Sequence, residues 1–311
     1  MKISVVAPVF NEQDIIPEFY ARLTQTMHEI DMDYEVILVD DGSTDETSEI
    51  IRRLNEADPR LTALHFSRNF GHQAALAAGL AHVSGDVAIL MDSDLQDPPE
   101  CIPTFLDHWK KGNHVVYAVR IKRKEFVLKR FCYVTFYRIL KYMSNVHIPV
   151  DSGDFALMDR QVVDELNALP ERNRFLRGLR AWIGFQQIGI PLERHARPSG
   201  RPGYTIKKLF QLASDGVFSF SWVPLRLLTL SGLISVIVGI IYFMIVLYMW
   251  YYRAYNLPGW TTLVFTVIGY GGAHLLGLGI IGEYIGRIYD EVKQRPAYVI
   301  ASKTGHIAEC K

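Results

Sequence analysis

Cysteine is scarce: Cys101, Cys132 and Cys310 are the only three in 311 residues, far apart and without C-x-x-C spacing. Such a set frames neither a disulfide scaffold nor a zinc site, and it suits a reducing compartment. Net charge is missing too, with 33 basic residues against 33 acidic ones. That balance argues against a strongly basic nucleic-acid binder, so no nucleic-acid partner is expected. No G-x-G-x-x-G follows a strand-like run and no G-K-[ST] occurs, which disfavours a Rossmann dinucleotide cofactor and a P-loop. Internal repeats and low-complexity tracts are absent. Met1–Pro8 is too short an apolar run for a signal peptide and soon reaches Asn11 and Glu12; the N-terminal part is therefore expected to stay on the cytoplasmic side.

What is present is unevenly distributed. Hydrophobic residues make up 49% and charged ones 21%, at a mean hydropathy of +0.09. That mixture fits a chain soluble in one part and membrane-embedded in another. Residues 1–100 carry 6 Lys/Arg and 19 Asp/Glu (6 − 19 = −13), and residues 101–311 carry 27 and 14 (+13). The first third tolerates many carboxylates, and the remainder wants cations.

Short β-branched runs alternate with helical spacing in the first third. Ile3–Val9, Glu35–Val39, Leu61–Phe66 and Val87–Met91 read as buried strands. Ile15–Ile30, Thr44–Asn55 and Gly71–Val83 read as helices between them. The alternation predicts βαβ units and a mostly parallel sheet, whose ligands bind beyond the carboxyl ends of the strands. Acidic clusters stand at those ends.

The C-terminal third is different. Leu227–Tyr252 is 26 residues without a charge, and Ala254–Gly282 is also uncharged, with Thr261–Gly282 as a second candidate span. Arg253 alone lies between them, whereas Arg226, Arg287, Lys293 and Arg295 flank the other ends. The positive-inside bias places the N-terminal domain and the tail in the cytoplasm. Arg120–Lys141 holds eight basic residues and one acidic, interleaved with aromatics, as suits a helix on anionic membrane. Thr205–Phe220 is similarly amphipathic. The expected division is a catalytic domain over 1–204, an amphipathic juxtamembrane helix over 205–224, a two-helix transmembrane hairpin over 225–285 and a cytoplasmic tail over 286–311.

Asp92-Ser93-Asp94 closes an apolar strand and is followed by Gln96. Residues i and i+2 of a strand share a face, so Asp92 and Asp94 can point at one ion. Their hard oxygens favour Mg²⁺ or Mn²⁺ shared with substrate phosphates. Asp40-Asp41-Gly42-Ser43 closes another strand and suits hydrogen bonds to a nucleobase edge or a ribose.

Three motifs then come in a telling order: Pro8-Val9-Phe10-Asn11-Glu12, Val39-Asp40-Asp41-Gly42-Ser43, and Asp92-Ser93-Asp94-Leu95-Gln96-Asp97-Pro98-Pro99. Their order and spacing resemble the family 2 glycosyltransferases of GT-A fold. Ser152-Gly153-Asp154-Phe155 and Pro170–Phe175, with two C-terminal spans, narrow the likeness to polyprenyl-phosphate hexosyltransferases. These include dolichol-phosphate mannose synthase and, more closely, the bactoprenol glucosyltransferases. The resemblance implies an α/β GT-A domain with a mostly parallel sheet, amphipathic interface helices and two transmembrane helices.

The same resemblance implies site roles. Pro8, Phe10, Glu12, Val39 and Asp41 would hold the nucleoside of the donor, with Asp92, Ser93 and Asp94 at its diphosphate. Asp92, Asp94 and Gln96 would hold the metal, and Arg120 and Arg197 would meet donor or lipid phosphate. Asp154 matches the carboxylate regarded as the catalytic base, or it orients acceptor or metal. One departure stands out: the family's R-x-x-G-x-S-K places its lysine where this chain has Gly203, with Arg201 or Lys207 as replacements. The donor implied is a nucleotide sugar, UDP-glucose favoured over GDP-mannose or UDP-GlcNAc. The acceptor implied is a polyprenyl phosphate in a bacterial inner membrane, and a homo-oligomer is a family expectation. The alternatives are a processive polysaccharide synthase, which would carry Q-x-x-R-W and more spans, and a non-catalytic nucleotide-sugar-binding scaffold.

Overall fold

A computed structural model describes residues 1–121, 152–172, 174–193, 223–251 and 259–305. The first half alternates strand and helix: β1 (Lys2–Val9), α1 (Ile16–Ile30), β2 (Asp33–Asp40), α2 (Thr47–Ala57), β3 (Leu61–Phe66), α3 (His72–Leu80) and β4 (Val87–Leu90). There follow α4 (Ile102–Lys110), β5 (Val115–Ile121), β6 (Ser152–Asp159), α5 (Arg160–Ala168), α6 (Leu176–Ile183) and β7 (Gln187–Glu193). Two long helices, α7 (Val223–Tyr251) and α8 (Trp260–Val292), precede a last strand, β8 (Ile300–Thr304).

The described strands form one sheet in the order β7-β5-β6-β4-β1-β2-β3-β8. Pairs β4–β1, β1–β2, β2–β3 and β5–β7 are parallel, as the alternation predicts. The pairs β4–β6, β5–β6 and β3–β8 are antiparallel, which makes the sheet mixed. β1 and β3 are buried along almost their whole length, because a central strand covered on both faces must be apolar throughout. On one face α1, α2 and α4 pack over Val5, Val36 and Ile89; on the other α3, α5 and α6 pack over Val6, Val39 and Leu90. The Ala-rich sequence of α3 explains its close seat: a Cβ on Gly79 would come within 2.1 Å of Val6 Cγ1.

Chain order sets the crevice. β1 leads to β2 and β3 on one side, whereas β4 lies on the other side of β1. The strand order thus reverses between β1 and β4, and the carboxyl ends there flank the place where open α/β sheets take ligands. Val9 is level with Asp40, and the Met91 N–H donates to the Val6 carbonyl at 3.1 Å.

Among the described residues one helix is long and apolar enough to cross a bilayer. It lies within α7 over Leu225–Ile245, with mean hydropathy 2.4 and none of it buried. The other expected stretch, Thr261–Gly282, falls inside α8, which runs on through Glu283, Arg287, Asp290 and Glu291. The two amphipathic segments expected around 122–141 and 205–220 lie outside the described residues.

After α8 the chain returns to the sheet. β8 pairs with β3 (Ala63 opposite Thr304), Tyr298 stacks on Phe66 at 5.1 Å, and the Ser67 N–H donates to the Val299 carbonyl at 3.0 Å. The end of α8 is docked as well, since Glu291 accepts from the Arg172 N–H at 3.0 Å.

Candidate active site

The loops after β1 and β2 are fastened to each other. The Asn11 N–H donates to Ser43 Oγ at 3.0 Å, and Asn11 Oδ1 accepts from the Thr44 N–H at 2.8 Å. The Glu12 N–H donates to Thr47 Oγ1 at 3.0 Å, and Gln13 Oε1 accepts from the Glu46 N–H at 3.1 Å. Asn11 takes a left-handed φ of 53°, which asparagine tolerates better than most residues. The product is a stiff ledge. Phe10 stands on it 44% exposed, an apolar ring left open at a strand end. Pro8 and Val39 are buried beneath, so they shape its floor.

Of the two adjacent carboxylates after β2, Asp40 is committed internally. It accepts from the Ser43 N–H (2.9 Å), from Ser48 Oγ and from His65 Nδ1 (3.0 Å), and His65 Nε2 reaches Thr304 Oγ1 at 3.1 Å. Burial alone would raise its pKa, but the bonds from His65, Ser43 and Ser48 hold it at about 2. Asp41 accepts from the Phe70 N–H (2.7 Å) and the Gly71 N–H (2.9 Å), fixing the loop that enters α3. Burial pushes its carboxyl up despite those bonds. Gly42 is required between this turn and its neighbour: φ is +72° and a Cβ would lie 2.5 Å from the Arg68 carbonyl carbon.

The charged centre lies next to this ledge. Ser93 Oγ donates to the Pro8 carbonyl at 3.0 Å, tying the acidic turn to the end of β1. Asp94 is buried and accepts from the Gln96 N–H at 3.1 Å. Asp92 is partly open. The antiparallel register of β4 and β6 sets Leu90 opposite Ala156. Two residues beyond that pair, past the carboxyl end of β4 and near the amino end of β6, stand Asp92 and Asp154. His72, the first residue of α3, stands between them with Nε2 3.5 Å from Asp92 Oδ1 and 3.4 Å from Asp154 Oδ2.

Asp154 is 7% exposed and gripped by Arg177 of α6 through two bonds of 2.5 Å. Burial would raise its pKa, but Arg177 and His72 hold it well below the carboxylate range. Burial would lower the His72 pKa, yet Asp154 and Asp92 raise it on balance. Arg180, one helical turn on, is 4% exposed and lies over the Tyr117 ring at 4.8 Å.

The structure thus gathers Asp92, Asp94 and Asp154 beside the ledge that bears Phe10, Glu12 and Asp41. Arg120 lies in β5 with its side chain outside the described residues, as are Arg197, Arg201 and Lys207 altogether. Among the described residues no three His, Cys, Asp or Glu side chains form a ready metal cage. His72, and Arg177 as the partner of Asp154, are what sequence spacing leaves unseen.

Comparison with known proteins identifies the family. The pattern of glycosyl transferase family 2 matches residues 4–166. The glycosyltransferase YkcC of Bacillus subtilis is 44% identical over 98% of this chain and 95% of its own length. The bactoprenol glucosyl transferase of Shigella phage SfII is 40% identical over 96% of this chain and 97% of its own. Among solved structures, a mannosyltransferase of Pyrobaculum calidifontis in complex with GDP-Man and Mn²⁺ is similar at a TM-score of 0.43 and 17% identity, over 94% of this chain and 88% of that one. The chain belongs to glycosyl transferase family 2 and is a glycosyltransferase.

Proposed function

We propose that the protein transfers a hexose from a nucleotide-diphosphate sugar to the phosphate of a membrane polyprenyl phosphate, inverting the anomeric centre. UDP-glucose is the favoured donor, with GDP-mannose and UDP-GlcNAc as the other candidates. The observation that carries this reading is the near full-length identity of about 40% with bactoprenol glucosyl transferases, which extends through the long helices as well as the sugar-transferring domain.

The site supports it chemically. Phe10 offers an exposed ring to a nucleobase, and Glu12 and Asp41 flank the same ledge. Asp92, Asp94 and Gln96 provide two carboxylates and an amide oxygen, a hard donor set that fits Mg²⁺ or Mn²⁺ completed by substrate oxygens. When bound, such an ion neutralises the charge that develops on the departing nucleoside diphosphate. A phosphate monoester is mostly dianionic at neutral pH, its second pKa being about 6. The acceptor then needs little help from a base. Asp154, ionised and doubly bonded to Arg177, is in this reading an orienting group.

Topology supports a seat in the membrane. The chain leaves the sheet after β7 and re-enters it at β8, and in this reading its crossings of a bilayer are even in number. With α7 as one crossing, the uncharged Thr261–Gly282 part of α8 supplies the second. Sheet and tail then share the cytoplasmic face, as the flanking cations require. Arg120, Arg197, Arg201 and Lys207 would meet phosphates at that surface, and a homo-oligomer belongs to the same reading.

The test is transfer by purified membranes from a panel of UDP- and GDP-sugars to a short polyprenyl phosphate with Mg²⁺ or Mn²⁺. One sugar added per lipid is expected. A growing polymer would make it a processive synthase, and no transfer from any donor would leave a scaffold.

A further inference from the structure

The most unusual group in the described structure is Arg180. Its side chain is 4% exposed, and neither Nε nor Nη2 has a hydrogen-bond partner. Arginine does not escape this by losing its proton: burial lowers its pKa only to about 10, so it stays cationic at neutral pH. A buried cation with idle donors costs several kcal/mol unless an anion answers it. The Tyr117 ring at 4.8 Å offsets only part of that. Asp154 is near enough to favour its charge. That carboxylate, however, already spends both oxygens on Arg177. With Asp154 taken up by Arg177, no carboxylate among the described residues bonds to Nε or Nη2 of Arg180.

Its place in the fold says which anion is missing. The sheet order β5-β6-β4-β1-β2 sets the nucleoside ledge at β1 and β2 and the DxD turn at the end of β4. Asp154 lies near the start of β6, and Arg180 lies over Tyr117 of β5, beyond Asp154 from the ledge. A donor running from ledge to DxD turn would present its sugar toward Asp154. The next anion along that line belongs to the acceptor.

We infer that Arg180 and Arg177 form a subsite for a phosphate monoester dianion, the phosphate of the acceptor, and that Asp154 is the positioning residue that aims the Arg177 guanidinium. This rests on the acceptor reading above. Arg180 supplies idle donors on two nitrogens, Nε and Nη2, and Arg177 swings or shares its fork, so that charge-assisted bonds form on a group bearing three acceptor oxygens.

The experiment uses the full-length protein in neutral detergent, as wild type, Arg180→Met and Arg180→Lys. Thermal unfolding is followed with inorganic phosphate, farnesyl phosphate or farnesol, without nucleotide or metal. Both phosphates should stabilise the wild type, farnesyl phosphate at the lower concentration, and farnesol should not. Arg180→Met should lose the effect, and Arg180→Lys should keep part of it. In transfer assays Arg180→Met should raise KM for farnesyl phosphate by about tenfold or more, while UDP–Mn²⁺ binding stays unchanged. Equal weakening of UDP would place the cation on the donor diphosphate and overturn the inference. Unchanged phosphate stabilisation in Arg180→Met would also overturn it. So would loss of cooperative unfolding in both variants, which would make Arg180 a structural cation. Equal potency of the two phosphates would overturn the lipid assignment. If the wild type transferred no sugar, the functional reading would fail, yet the phosphate arm would still decide the subsite.

Discussion

Two acidic clusters stand at strand ends on either side of β1 and meet opposite fates. Asp40 and Asp41 end β2 and spend their oxygens on the protein itself: on Ser43, Ser48 and His65, and on the N–H groups of Phe70 and Gly71. They stiffen the floor. Asp92 and Asp154 instead confront each other across His72 at 3.4 to 3.5 Å. The contrast is between carboxylates that hold the protein's own loops and carboxylates set against other charged side chains.

Three changes put that contrast at risk. The largest effect is expected from Asp92→Asn, which should cut sugar transfer by about a hundredfold or more while leaving thermal unfolding little altered. Near-normal turnover would erase the distinction between the clusters. Next, Asp41→Ala strands two backbone N–H groups and should lower unfolding free energy by about 2–3 kcal/mol in urea titrations. A loss of transfer with full stability would instead make Asp41 a ligand contact. The smallest effect is pH-dependent. The Asp40 carboxyl titrates lower in the folded chain (about 2) than in the unfolded one (3.8), so its contribution is complete above about pH 4. It is lost as the pH falls toward 2, amounting to about 2 kcal/mol. Urea midpoints of Asp40→Asn should lack that part of the acid slope, and a slope equal to that of the wild type would show that Asp40 is not anchored as described.

Much of the first half was legible because its signals are local. The strand runs end where expected to within two residues, β3 coinciding at Leu61–Phe66, and the DxD turn follows β4. The helices start slightly late, with α2 at Thr47 rather than Thr44, because Ser43 and Thr44 are drawn into the ledge by Asn11. What spacing could not reveal is pairing across distance. His72 meets Asp92 and Asp154 only because β6 enters the sheet antiparallel, and Arg177 meets Asp154 only because α6 folds back on that strand. An alternation of strand and helix predicts parallel neighbours and has no means to announce such an insertion. The spacing of Arg177 and Arg180 suits one face of an amphipathic helix; the burial of Arg180 and the pairing of Arg177 with Asp154, visible only in three dimensions, separate them from surface charge.

The eighth strand has a practical consequence. β8 follows both long helices in the chain, yet it covers the open side of β3 and supplies Thr304 to the His65–Asp40 chain. A soluble fragment cut before α7 would not be a trimmed enzyme but a sheet with a bare edge, prone to pair with other copies of itself. Splicing 293–305 back through a short linker would restore the missing border without either helix. The segment that follows the two long helices is in this sense part of the first domain.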